Sequence, residues 1–139
     1  MIEMHNLDPF TKFDDIITIT KNYNPQIITK ESNFIEIKIV SDFDEELWIQ
    51  IETEFSIFFG NWHAHYFSYI EEYDAFIADL LGILENKKFI ICAYKDNKWC
   101  ASCLSESETP NEAKLKEKFG KDKMIKCIYW DSTNNVVFL

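Results

Sequence analysis

Apolar and polar residues alternate from Phe34 to Val40, with Ile35, Ile37 and Ile39 pointing one way and Glu36 and Lys38 the other. A period of two marks a strand with one face in a core and the other in water. Beyond an acidic turn at Asp42–Glu46 the alternation resumes. Leu47, Ile49, Ile51, Phe55 and Ile57 share one face, and Gln50, Glu52, Glu54 and Ser56 the other. Read without interruption, this stretch predicts one long half-buried strand. Gly60-Asn61 breaks it, and Trp62 to Phe67 returns as a short strand.

From Ser68 the period changes to that of a helix. Tyr69, Ile70, Tyr73, Phe76, Ile77, Leu80, Leu81 and Leu84 form one apolar stripe, which predicts a long amphipathic helix over about 68–86. Ser68 and Glu71 have the spacing of a capping box at its start. The opposite face, with Glu71, Asp74 and Glu85, carries acids and no lysine.

Elsewhere the signals are shorter. Asp8-Pro9 predicts a helix start, followed by Phe10, Phe13, Ile16 and Ile17 at helical spacing and a stop at Asn22-Tyr23-Asn24-Pro25. Lys88–Tyr94 and Lys98–Leu104 predict a hairpin around Asp96-Asn97. Pro110 opens a short charged helix to Phe119, with Gly120 as its C-cap. Met124–Trp130 and Val136–Leu139 predict a last strand pair. Taken together, the order predicts an α+β fold: one globular domain over residues 1–139, with a single antiparallel or mixed sheet of about six or seven strands. The long helix would lie on one face of that sheet, accompanied by two shorter helices.

Composition supports a packed core. Of 139 residues, 47% are hydrophobic and 16% aromatic, with three glycines and three prolines, which is incompatible with a disordered chain. The charge changes the picture more. Residues 39–86 hold eleven of the 24 carboxylates and none of the fourteen lysines, so this window accounts for the net charge of −10. Such a balance argues against nucleic acid or an anionic membrane as the ligand, since binding phosphate rests on neutralising it. It favours a basic protein partner. Arginine is absent, so no guanidinium clamp for a phosphate or carboxylate substrate exists. The chain lacks any long apolar run and shows no signal peptide. These features, with four cysteines spaced too unevenly for a disulfide scaffold, predict a cytoplasmic protein.

Within the acidic window lies Phe59-Gly60-Asn61-Trp62-His63-Ala64-His65-Tyr66. His63 and His65, two apart on an extended segment, share a face and have the spacing of transition-metal ligands, with Glu52 and Glu54 on the preceding strand as carboxylate donors. The alternative is two rim histidines among aromatics. The continuation lacks the Ser and Asp of a JAMM-type metalloprotease, since Tyr73 and Phe76 stand there. It also lacks the Asp and His of a metallo-β-lactamase, where Phe67 and Ser68 stand. Cys100 and Cys103 form a Cys-x-x-Cys, but within a strand, where they point to opposite faces. Buried thiols acting as small hydrophobes are the better reading for the cysteines. No Gly-rich phosphate loop or nucleophile elbow is present, and no cofactor is expected.

A small acidic α+β chain with this local texture, from Glu54 through the Trp62–Tyr66 phrase into an acidic helix, resembles the immunity proteins of bacterial polymorphic-toxin systems. The resemblance implies a non-catalytic inhibitor that docks a basic protein such as a toxin domain. The residues themselves nominate a binding face: Trp62, His63, His65 and Tyr66 as aromatic contacts, with Glu52, Glu54, Glu71, Glu72 and Asp74 steering the partner. A metal-dependent enzyme centred on His63 and His65, and a structural or homo-oligomeric subunit, are the competing expectations.

Overall fold

The computed structural model describes residues 4–107 and 109–139. It corrects the expected single sheet: two antiparallel sheets are present, of five and four strands, and the longest helix has 15 residues. The chain divides into two compact units, Met1–Leu81 and Gly82–Leu139. The fold class is still α+β.

The first unit begins with a 3-10 turn at Pro9–Lys12, capped by the Asp8 carboxylate accepting from the Phe10 N–H. It runs into α1 (Phe13–Thr20), and the chain reverses at Asn24 in the left-handed region. Five strands follow in chain order as a meander: β1 (Gln26–Glu31), β2 (Phe34–Val40), β3 (Glu46–Ile51), β4 (Phe55–Phe59) and β5 (Trp62–Tyr66). Two of these boundaries depart from expectation. β1 is an exposed edge strand with no alternating burial, so its residues carry no period-two signal. The long strand expected from Leu47 onward is instead a hairpin, β3 and β4, reversed at Glu52-Thr53-Glu54 with Ile51 opposite Phe55. A three-residue reversal keeps odd-numbered residues inward on both strands, so the alternation runs through the turn unbroken.

The inner face is fully apolar. Ile35, Ile37, Ile39, Leu47, Ile49, Ile51, Phe55, Ile57 and Phe59 are all buried. It is covered by α2 (Ile70–Leu84). The Phe55 ring stacks on Phe76 at 5.1 Å and tilts against Tyr73 at 5.2 Å, while Tyr66 meets Phe76 edge-on at 5.5 Å. The expected capping box is not what starts this helix. Tyr69 accepts the first helical bond, from the Tyr73 N–H, and the Glu71 carboxylate turns to His5, accepting from its backbone N–H at 3.3 Å and lying 2.6 Å from its Nδ1. The segment before the helix is tied instead by backbone bonds, Leu7 N–H to Ser68 C=O and Ile70 N–H to His5 C=O.

The two tyrosines under this helix differ in a testable way. The Tyr66 hydroxyl donates to Asp79 Oδ2 at 2.5 Å, a charge-assisted bond. Tyr73 Oη is buried without a hydrogen-bond partner. Tyr66→Phe therefore costs about 1.5–3 kcal/mol, whereas Tyr73→Phe is neutral or stabilising by up to about 1 kcal/mol. Urea unfolding of the two variants checks the contrast. Equal losses would contradict it.

The second unit holds β6 (Ile90–Lys95), β7 (Lys98–Leu104), β8 (Met124–Ile128) and β9 (Val136–Phe138), with α3 (Glu112–Phe119) between β7 and β8. Its strands lie in the order β7-β6-β8-β9. Asp96 and Asn97 both have positive φ, as a tight hairpin turn requires. α3 starts at Glu112 rather than at Pro110 and is capped by Asn111, whose side chain accepts from the Lys114 N–H. Phe89, Ile91, Ala93, Leu115, Ile125, Cys127 and Tyr129 make the core. All four cysteines are free; Cys92 and Cys127 are buried, and Cys100 is exposed where β7 bulges against β6. Among the described residues no helix is long and apolar enough to cross a membrane.

Candidate functional site: the outer face of the first sheet

The outer face of the five-stranded sheet is built by the residues that alternate with the core. Register sets them in two rows. Lys38 stands opposite Trp48, Trp48 opposite Phe58, and Phe58 opposite His63. Beside that row, Glu36 stands opposite Gln50, Gln50 opposite Ser56, and Ser56 opposite His65. Cross-strand neighbours on one face lie within reach of each other, and several of these touch. The Phe58 and His63 rings stack at 5.6 Å, and along β5 itself His63 meets His65 at 5.3 Å. The Lys38 ammonium lies 5.4 Å above the Trp48 ring. Gln50 Nε2 donates to Glu36 at 3.0 Å.

The expected set is divided by the fold. The two-residue turn at Gly60-Asn61 places Phe58 opposite His63 and Phe59 opposite Trp62, so parity reverses across it. His63 and His65 are exposed on the outer face, and Glu54 joins them, its carboxylate 3.3 Å from His65 Nδ1. Ser56 Oγ shares that nitrogen at 2.7 Å. Trp62 and Tyr66 belong to the core side: Trp62 is half-buried opposite Phe59, and Tyr66 is buried under α2. Glu71, Glu72 and Asp74 lie on α2, which covers the inner face. Glu71 is held by His5, a bond that keeps its carboxyl below the usual carboxylate range. Glu52 is exposed in the β3–β4 turn. As for metal chemistry, His63 and His65 do share a face, but among the described residues no group of three or more His, Cys, Asp or Glu side chains gathers as ligands.

Beside the aromatic row, past the Val40–Glu46 pair, lies the β2–β3 turn. Here Ser41 organises the backbone: its hydroxyl accepts from the Phe43 and Glu45 N–H groups at 3.1 and 3.0 Å, and its own N–H donates to Glu45 C=O. Asp44 takes φ 63, which asparagine, aspartate and glycine tolerate best. The result is a tied turn that presents Phe43, 45% exposed, between Asp42 and Asp44. Between this turn and Gly60 lies a shallow depression of about 400 Å³, lined by Asp44, Glu45, Glu46, Trp48, Phe58 and Gly60. Sequence reasoning passed over Phe43, Trp48 and Phe58. The signal for the last two was present: each sits between inward-facing neighbours of its own strand, so each must face out.

No family model matches the chain, and neither the curated proteins nor the solved structures contain a match to it.

Proposed function

We propose that the chain is a non-catalytic binding protein, an inhibitor of the immunity type acting in the cytoplasm, whose acidic face docks a basic protein partner. The observation that carries this reading is the depression beside the β2–β3 turn, where carboxylates border a floor of Trp48 and Phe58. An exposed aromatic on a tied turn is the kind of anchor that supplies affinity, because little ordering entropy is lost on binding. The surrounding carboxylates supply long-range attraction and orientation. Lys38 is the sole lysine from β2 through β5, so the field over this face is nearly unopposed. Glu54, His63 and His65 extend the surface along the second row.

Capture followed by a salt series tests the reading. The immobilised chain retains a partner with a basic isoelectric point, and affinity falls at least about tenfold between about 0.05 and 0.5 M salt, as screening of a charge-steered interface requires. Co-expression of the chain relieves any toxicity of that partner. A neutral or acidic partner, bound with no dependence on salt, would remove the proposal.

A further inference from the structure

Resting on the binding role just described, we propose that the outer face of the first sheet seats an arginine side chain of the partner in the depression between the β2–β3 and β4–β5 turns. Asp44 and Glu46 are exposed and Trp48 and Phe58 half-buried, and what they offer together is complementary to one kind of group. Trp48 and Phe58 lie directly across from each other in the register and form an aromatic floor. Asp44, Glu45 and Glu46 line the same depression. A planar cation that stacks on a ring while its edge reaches carboxylates meets both features at once. Arginine fits better than lysine because its guanidinium is flat, weakly hydrated and able to engage two carboxylate oxygens together.

The chain carries an internal instance of the same chemistry. The Lys38 ammonium lies 5.4 Å above the Trp48 ring and 3.8 Å from Glu46 Oε1, while the Trp48 indole N–H donates to Glu46 Oε2 at 3.4 Å. Cation, indole and carboxylate thus already assemble on this face, using a side chain from the neighbouring strand. Phe43, exposed on the adjoining turn, supplies apolar contact beside the seated guanidinium. The arginine anchors the partner here, and α2 with its own acids takes no part.

The experiment is a titration of the isotope-labelled full chain with a short Gly/Ser peptide carrying arginines, and with its lysine counterpart. The arginine peptide moves the Trp48 indole N–H and the Asp44 and Gly60 amide resonances, and binds at least about threefold more tightly than the lysine peptide. The paired change Glu45→Gln and Glu46→Gln, on surface positions that leave the core untouched, weakens it about tenfold, and Phe58→Ala does the same. Glu71→Gln with Asp74→Asn removes the same number of carboxylates from α2 and changes affinity less than about twofold. If shifts gather on α2, if both acid-removing variants lose equally, or if lysine binds as well as arginine, this site is overturned while charge-driven docking stands. Absence of any binding by either peptide overturns the site, while the salt series on the captured partner decides the docking reading separately.

Discussion

Phe55→Ala removes about 3–5 kcal/mol of folding stability, a large part of the 5–15 kcal/mol typical of a domain. The Phe55 side chain is fully buried, and its ring is held between Tyr73 and Phe76 of α2. Its strand partners, Ile51 on β3 and Tyr66 on β5, lie on the same inner face. Truncation leaves a cavity walled by residues already fixed in the sheet and the helix, so collapse around it is limited. Urea unfolding monitored by circular dichroism gives the number. A loss under about 1 kcal/mol would mean that the helix and sheet do not pack as described.

Raising the pH is the second large perturbation. Burial pushes the Tyr73 hydroxyl up to about 12 from 10.0. Burial, reinforced by the neighbouring thiols of Cys92 and Cys103, pushes Cys127 up to about 11 from 9.0. Burial also raises Cys92, Tyr129 and Tyr66, the last helped by its bond to Asp79. In each case the folded chain holds its proton to higher pH than the unfolded chain. The unfolded state therefore binds fewer protons above about pH 9, and stability falls with pH at about 1.4 kcal/mol per unit for each group in its window. The contribution is fully present below the unfolded values and is lost from 9.0 to about 11 for Cys127 and from 10.0 to about 12 for Tyr73. Urea midpoints collected from about pH 8 to about pH 11 should fall steadily, and Cys127→Ala should flatten the early part of the decline. A flat profile across that range would contradict the burial of these groups.

Much of the fold was legible in the residues, and the failures have definite causes. β2, β5 and the β6–β7 hairpin lie where periodicity and turn residues put them, whereas α2, Ile70–Leu84, is shorter than the helix expected over about 68–86. The β3–β4 reversal was hidden because a three-residue turn preserves the phase of an alternating pattern. At Gly60-Asn61 the opposite occurs. A two-residue turn reverses the phase, which sends Trp62 and Tyr66 toward the core and leaves His63 and His65 outside. Trp62 and Tyr66 therefore stand out of phase with His63 and His65 and cannot share their face. β1 was missed because an exposed edge strand has no core side to pattern. The division into two sheets was beyond reach, because strand pairing depends on register across distant segments rather than on local composition.

The acidic window shows the same limit. Its carboxylates are contiguous in sequence, yet the fold deals them to different layers. Asp42, Asp44, Glu45 and Glu46 flank the outer aromatic row, while Glu71, Glu72 and Asp74 ride on the helix that covers the inner face. Charge along a chain bounds the kind of partner. Only the register of the sheet says which of those charges lie beside Trp48 and Phe58.

Hydrogen–deuterium exchange of the full chain, alone and saturated with its captured basic partner, locates the docking face. Exchange slows in the amides of Ser41–Glu46 and of Phe58–His65, with α2 and the Gly82–Leu139 unit unchanged. Protection confined to α2 or to the second unit, with the β2–β3 turn exchanging as freely as before, would contradict this placement.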